Sequence, residues 1–308
     1  MAKKILRALG YAFTSILFIM GALIFVYPLL NSYLINQNAE TALEDFHNWQ
    51  DTISEQSVGG PNSDTADRIH HFDKLYEDMQ TYNENLVQNG QSGLKDAWSY
   101  EQSAFDLSMY GIHGGVVAEM RIPKMDVDLP VYLGATWNNM SKGAAQLGQT
   151  SMPIGGNNTN CAIAGHRGSS GGEFFLNIEN LELGDVVYLD NLWETLSYCV
   201  YQIEIIDPED VDKILIQRDK DLLTLITCHP YPYDTRRYLV YCERIPNDLL
   251  EQKASSDRTH LESTVKRSGN SQAFMTFEKI LYYVIPVILI ILVVCLFGKN
   301  PRKGRSSR

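Results

Sequence analysis

Three residues that lie far apart along the chain have the side chains that an acyl transfer requires. Cys228 ends an apolar run, LLTLITC, and Arg237 begins another, RYLVYCERI, after the loop HPYPYDTR. His166 follows the short run CAIA through Gly165. A thiolate attacks a carbonyl carbon, an imidazole gives a proton to a departing amine, and a guanidinium stabilises the resulting oxyanion. Together they predict a cysteine-dependent acyl transfer.

Each of these residues, taken alone, has a more ordinary interpretation. A lone cysteine after a strand is more often buried as a small apolar residue. A lone histidine after glycine is more often a loop residue, and a lone arginine is more often a surface charge. His229 directly follows Cys228 and is a rival for the role of the base. The chemical interpretation therefore depends on the elements that bring the three residues together.

Those elements are short β-strands. From about Gly111 the chain changes to apolar runs separated by turn residues, and strands joined by a short loop are usually neighbours. Cys228, Arg237 and His166 are therefore expected at one rim of a sheet. The predicted strands cover residues 115–122, 129–132, 161–164, 185–190, 195–206, 222–228 and 238–245, and residues 175–185 are predicted to form a short helix.

A helical segment precedes the β-rich part. Residues 31–60 are predicted to form a polar helix that Gly59, Gly60 and Pro61 close. A second helix is predicted to begin near residues 62–64 and to end between Asn89 and Gly93. Its apolar face repeats at steps of three and four residues, and it comprises Ile69, Phe72, Tyr76, Met79, Tyr82 and Leu86.

Two apolar runs, at residues 8–30 and 280–297, are long enough to cross a bilayer, which takes about 20 residues, the second only just. The first run is longer than the apolar core of a signal peptide and ends in residues that suit cleavage poorly, so we favour an anchor over a cleaved leader. Basic residues flank both runs on their outer sides, which predicts that both termini are cytoplasmic and that the intervening part is extracellular.

The charge of the intervening part is strongly negative. Eight of the 26 basic residues lie in the two flanks, which leaves 18 basic against 37 acidic residues and a net charge of −19. This argues against nucleic acid as a partner. The five cysteines show no spacing typical of a disulfide framework or a zinc site, although a disulfide between Cys199 and Cys242 stays open. We expect no metal and no cofactor.

Three sequence blocks, in this order, resemble the sortase family: RIPKMDVDLPVYLG at 121–134, SMPIGGNN with CAIAGHRG at 151–168, and TLITCHPYPYDTRRYLV at 224–240. The family motif TLxTC matches at Thr224–Cys228. The resemblance identifies Cys228, His166 and Arg237 as catalytic, the last because RYLV resembles the family's RLLV. It implies that Thr227 binds substrate. It also favours His166 over His229, since His166 lies in a matched block.

The resemblance extends to class C sortases, which polymerise pilins and have a helical N-terminal extension, an active-site lid and often a second membrane span. Their lid carries an Asp-Pro-aromatic motif, and this chain has Asp96-Ala97-Trp98 instead. We expect Asp96 to pair with Arg237 while Trp98 covers Cys228. An ordinary loop with a surface aspartate and a packed tryptophan is the alternative. The missing proline, which would fix its own φ, leaves the lid less constrained.

The resemblance implies a mainly β fold, a closed sortase-type barrel of about eight strands with short helices, a helical extension and two transmembrane helices. The expected organisation is a cytoplasmic N-terminus (1–7), a membrane helix (8–30), a helical extension (31–109) with a lid at about 92–100, a catalytic barrel (110–250), a polar linker (251–279), a second membrane helix (280–297) and a basic cytoplasmic tail (298–308).

The implied reaction cleaves an LPxTG-like sorting signal between Thr and Gly and transfers the acyl group to an amine. The implied partners are pilins or surface proteins with such signals, an amine acceptor on a pilin lysine or a peptidoglycan precursor, and the membrane. Three alternatives remain: a housekeeping sortase that anchors proteins to peptidoglycan, a non-catalytic assembly factor on the same scaffold, and a plain cysteine protease.

Overall fold

The computed structural model describes residues 2–54, 63–101, 106–168, 174–246 and Val284. Two compact units divide the chain, one formed by residues 1–33 with 269–308 and the other by residues 34–268. Helix α1 spans Ala2–Ser54, and helix α2 spans Ser63–Asn89. The polar helix predicted at 31–60 is thus the C-terminal part of α1, and its last predicted residues, 55–60, lie outside the described residues.

Among the residues that the structure describes, no helix combines the length and the apolarity needed to cross a membrane. The span expected at residues 8–30 is therefore not confirmed. The span expected at 280–297 lies outside the described residues, apart from Val284.

The second unit contains a closed barrel of eight strands, as the resemblance implies. The order around the barrel is β1-β2-β3-β4-β7-β8-β6-β5. The strands are β1 (Val116–Ile122), β2 (Val127–Leu133), β3 (Ala144–Gln146), β4 (Thr159–Ala164), β5 (Val186–Asn191), β6 (Thr195–Ile206), β7 (Asp221–His229) and β8 (Arg236–Arg244).

Short helical turns connect these strands. Helix α3 (Trp137–Met140) lies between β2 and β3. The short helix predicted at 175–185 is a single 3₁₀ turn, Ile178–Asn180, and the chain enters β5 at Val186. The remaining 3₁₀ turns are Ala97–Ser99, Ser108–Tyr110, Pro123–Met125 and Val211–Ile214.

Side chains on the strands alternate between an inner and an outer face, as strand geometry requires. On β7, Leu223 and Leu225 belong to the main core inside the barrel. Ile226 belongs to a separate cluster on the outer face, together with Ala164 of β4 and Leu239 of β8. Apolar layers thus pack on both faces of the sheet at these strands. The sequences of β4 and β7 are therefore nearly continuous apolar runs.

Helix α2 covers another part of the outer surface. The predicted apolar face is confirmed for Phe72, Met79 and Leu86, which are buried. Leu75, which the predicted face omitted, is also fully buried. Two polar contacts fix the helix to the loop before β4. Asn83 accepts a hydrogen bond from the Met152 amide at 2.7 Å, and Tyr82 accepts one from the Gln149 amide at 3.0 Å.

Candidate active site

Three adjacent strands carry the residues singled out from the sequence. β4 and β7 run parallel with Ala164 opposite Ile226. β7 and β8 run antiparallel with Cys228 directly opposite Arg237. His166 and Cys228 lie two residues beyond the last β4–β7 pair, and neighbouring strands are about 4.8 Å apart. The structure therefore places His166, Cys228 and Arg237 side by side at one rim of the barrel.

The same alternation sets the direction of these side chains. Cys228 is two residues after Ile226 on β7, and Arg237 is two residues before Leu239 on β8, so both lie on the outer face with the outer apolar cluster. Both side chains are nevertheless buried, with Cys228 only 6% exposed. A covering segment must therefore lie over this part of the barrel.

Two glycines shape the loop that carries His166. A Cβ on Gly165 would lie 3.0 Å from the Phe175 ring, and a Cβ on Gly168 would lie 2.6 Å from Cε2 of Tyr231. The Gly165 amide donates to the Ile226 carbonyl at 3.1 Å. Close packing on both sides thus requires glycine at these two positions, which holds the histidine loop against β7.

Thr227, which the motif predicts to bind substrate, lies next to Cys228 on β7. Its side chain is fully buried, and its neighbours on β7 place it on the inner face, opposite to Cys228. Its hydroxyl donates to the Gly165 carbonyl at 2.7 Å. Thr227 therefore supports the histidine loop from inside the barrel, and its binding of substrate stays a prediction.

The segment that covers the site is the expected lid. The Asp96 carboxylate accepts two hydrogen bonds from Arg237, from Nε at 2.7 Å and from Nη2 at 2.8 Å. The same carboxylate accepts from the Trp98 amide at 3.2 Å and caps the 3₁₀ turn Ala97–Ser99. Ala97 is buried in the outer apolar cluster. Asp96 therefore fixes both the shape of the lid and its attachment to the barrel.

The aromatic residues of the lid lie over the two basic residues of the site. The Arg237 guanidinium carbon is 4.7 Å from the centre of the Trp98 ring, a distance typical of a cation–π contact. The Trp98 and His166 ring centres are 6.1 Å apart in an edge-to-face arrangement. Tyr100 also lies near His166, with ring centres 6.4 Å apart. The described contacts of Trp98 are thus with Arg237 and His166, whereas the sequence interpretation placed it over Cys228.

Burial shifts the pKa of the Cys228 thiol and that of the His166 imidazole in opposite directions. The pKa of Cys228 is raised from 9.0 to about 12, mainly by burial; Arg237 and Arg167 oppose this rise, and the Asp234 and Asp96 carboxylates contribute to it. Burial also lowers the pKa of His166. With the lid in place, the site therefore holds a neutral thiol beside a neutral imidazole. Uncovering the site would favour the ionised form of both groups.

The structure also places the remaining cysteines and His229. Cys161, Cys228 and Cys242 are free thiols, so Cys199 and Cys242 are not bonded to each other. His229 is the last residue of β7 and is buried, not part of the following loop. In the described part of the chain, no cluster of three or more histidine, cysteine or acidic side chains is arranged to bind a metal ion.

Comparison with known proteins agrees with this geometry. The family model "Sortase domain" matches residues 120–245. The structure of sortase C from Streptococcus pneumoniae is 30% identical, with a TM-score of 0.53, and the match covers 66% of this chain and 97% of that one. The structure of sortase C-1 from Actinomyces oris is 34% identical, with a TM-score of 0.50, and the match covers 56% of this chain and 98% of that one. The chain belongs to the sortase family.

Sortases are cysteine transpeptidases. Among curated proteins, sortase A of Bacillus anthracis is 32% identical over 139 residues, which is 45% of this chain and 62% of that protein. The solved structures named above are both class C sortases.

Sequence reasoning missed one group of residues near this sortase site. Glu179 lies in the 3₁₀ turn Ile178–Asn180 and is buried, together with Arg167 and His229. Arg167 follows His166 in the chain, and His229 follows Cys228. The signal in the sequence was weak, because a glutamate in a short polar stretch is usually solvated.

Proposed function

We propose that this chain is a class C-like sortase that assembles pili. It cleaves an LPxTG-like sorting signal between Thr and Gly and transfers the acyl group to an amine. The observation that supports this most is the convergence of Cys228, His166 and Arg237 on one face of three adjacent strands, beneath a segment that Asp96 ties to Arg237. Pilin substrate specificity is ascribed to the Streptococcus pneumoniae relative.

The first half-reaction forms a thioester. The Cys228 thiolate attacks the threonine carbonyl carbon, and the electron pair of the C=O π bond moves to oxygen. Arg237, directly opposite on β8, hydrogen-bonds this oxyanion. When the C–N bond breaks, the His166 imidazolium gives its proton to the departing glycine amine.

The second half-reaction reverses these roles. An acceptor amine attacks the thioester carbonyl and loses a proton to His166. The C–S bond breaks, the Cys228 thiolate returns, and a new amide joins the two proteins. A lysine of the next pilin subunit is the proposed acceptor, and no net oxidation or reduction occurs.

The lid must leave before either step. Asp96 engages Arg237 Nε and Nη2, while Nη1 donates to the Asp234 and Arg236 carbonyls. The thiol is neutral as long as it stays buried. Lid opening frees the guanidinium, hydrates the thiol and the imidazole, and moves both towards the ionised pair that the chemistry needs.

The test is covalent capture of a substrate. The full chain is incubated with a peptide that contains an LPxTG signal, and intact mass spectrometry measures the thioester adduct. We expect the adduct on the wild-type chain and none on Cys228→Ala. The matched control is Cys199→Ala, which removes a half-buried thiol from β6 and should leave the adduct unchanged. An adduct on Cys228→Ala would refute the assignment of the nucleophile.

The acceptor separates the proposal from its alternatives. Pilin with its acceptor lysine, a peptidoglycan-like amine and water alone are supplied in parallel to the thioester. Faster resolution by the pilin lysine supports pilus assembly. Faster resolution by the wall amine supports a housekeeping sortase, and hydrolysis alone supports a protease.

We further propose that the catalytic unit is extracellular and that both termini are cytoplasmic. The support is the pair of apolar runs with basic outer flanks in the sequence. Protease treatment of intact cells should digest the barrel and spare epitope tags at both termini. Protection of the barrel in intact cells would contradict this topology.

A further inference from the structure

Three ionisable side chains are buried together on the side of the sheet away from the active-site face. Arg167, Glu179 and His229 are 2%, 3% and 6% exposed. Arg167 Nη2 lies 2.7 Å from Glu179 Oε1. His229 Nδ1 lies 3.2 Å from the same oxygen and 3.2 Å from Arg167 Nη1. We call these three residues the inner cluster.

The inner cluster links the loop that carries His166 to the end of strand β7, which carries Cys228. Arg167 is the next residue after His166, and His229 is the next residue after Cys228. Since adjacent residues on a strand point to opposite faces, His229 turns inward where Cys228 turns outward. Glu179 comes from a third segment, the turn Ile178–Asn180, and contacts both partners.

We infer that Glu179 is a positioning residue, which holds Arg167 and His229 and thereby fixes the separation between His166 and Cys228. This inference rests on the transpeptidase function proposed above. The Glu179 carboxylate does not touch the reacting atoms. It acts on the two catalytic residues through their neighbours in the chain.

Stability alone is a weak reason for such a cluster. A buried ion pair costs solvation energy, and replacing it with apolar residues of similar volume is often neutral or stabilising. Glu179 is nevertheless ionised: burial opposes this, but the hydrogen bond to His229 and the charge of Arg167 lower its pKa. A charged cluster fixes distances and directions more narrowly than apolar packing does, and a misplacement of about 1 Å at a reacting group costs on the order of 100-fold in rate.

The first test substitutes Glu179→Gln and measures two quantities. Thioester formation reports the positions of the catalytic residues, and the pH dependence of Cys228 labelling reports the charge near the thiol. All variants carry Trp98→Ala in the full chain, so that access to Cys228 is equal. Thioester formation with the LPxTG peptide should fall about 100-fold. Labelling of Cys228 by iodoacetamide needs no proton donor and should begin at lower pH, because the positive charge of Arg167 is no longer balanced. Loss of fold would also expose the thiol and lower the pH at which labelling begins, so a circular dichroism spectrum that stays native is required before the two changes are assigned to Glu179.

The labelling shift is assigned to Arg167 because the other groups near the thiol are unchanged in the variant. Those groups are Arg237 on β8, Asp96 and Tyr100 on the lid, Asp234 in the β7–β8 loop and His166. The matched control is Asp190→Asn, which removes a carboxylate that pairs with Arg121 on the β1–β5 side of the barrel. This control should alter neither thioester formation nor labelling.

A double variant keeps the inference testable if Glu179→Gln does not fold. Arg167→Met with Glu179→Leu replaces the ion pair with apolar side chains, so folding should persist while thioester formation still falls. A folded double variant that forms the thioester at the wild-type rate would overturn the inference. If the wild-type chain itself forms no thioester, the proposed function fails instead.

Discussion

Converting Asp96 to asparagine should open the lid and expose Cys228. The change removes the negative charge that receives two hydrogen bonds from Arg237 at 2.7 and 2.8 Å. Hydrogen bonds to charged groups contribute about 1.5–3 kcal/mol each, so a loss of about 3 kcal/mol for the pair is reasonable. At about 1.4 kcal/mol per factor of ten, the ratio of open to closed lid should rise on the order of 100-fold.

The assay is the second-order rate of Cys228 alkylation by iodoacetamide in the full chain at pH 8, followed by peptide mass spectrometry. The rate should rise on the order of 100-fold as long as the wild-type lid is mostly closed. The matched control is Glu101→Gln, which converts a carboxylate of the same segment whose ion pair with Lys95 is exposed. This control should stay within twofold of the wild type.

The pH dependence provides a second readout. The Cys228 thiol has a pKa of about 12 under the lid, against an ordinary value of 9.0. The thiol therefore stays protonated to higher pH when the lid is closed, and the free energy that favours the closed lid decreases as pH rises from 9 towards 12. In Asp96→Asn the pH midpoint of Cys228 labelling should move down towards the ordinary thiol pKa of 9.0. The reasoning would be refuted if Asp96→Asn changed neither the rate nor the pH profile of Cys228 labelling. It would also be refuted if Glu101→Gln raised the labelling rate equally.

The remaining predictions concern packing and transition-state binding. Gly168→Ala should destabilise the fold by about 1–3 kcal/mol in denaturant unfolding, because its Cβ would lie 2.6 Å from Tyr231. The control Gly114→Ala should not destabilise the fold, because a Cβ there meets nothing within 4 Å. Arg237→Lys keeps the charge but loses the planar fork, so thioester formation should fall about 100-fold or more while the circular dichroism spectrum stays native. Leu75→Ala should cost about 2–5 kcal/mol in chemical denaturation, since this side chain is fully buried; a smaller loss would mean that α2 is loosely docked.

Local patterns in the sequence were sufficient to predict most strands of the barrel. Seven of its eight strands follow from apolar runs bounded by turn residues, because that pattern is a direct consequence of a half- or fully buried sheet. The strand that was missed, Ala144–Gln146, has only three residues and pairs at most three residues with either neighbour. So short a run gives no alternation to detect.

The partners of the site could not be predicted from local patterns. The parallel pairing of β4 with β7 joins segments about 60 residues apart, and nothing in either segment specifies the other. The inward direction of Thr227 and His229 depends on the register of β7 within the closed barrel. Glu179 was overlooked because its role exists only once Arg167 and His229 are brought to it by the fold.

The alternation of faces along these strands has a practical consequence for engineering. Outward-facing positions near the site other than the nucleophile, such as Ile226 and Leu239, can be varied in a combinatorial library without altering the barrel interior, because their neighbours in the chain supply it. An insertion or deletion of one residue on β7 would instead exchange the two sets and send the thiol into the core. Libraries that seek new specificity should therefore substitute every second position and leave strand length untouched.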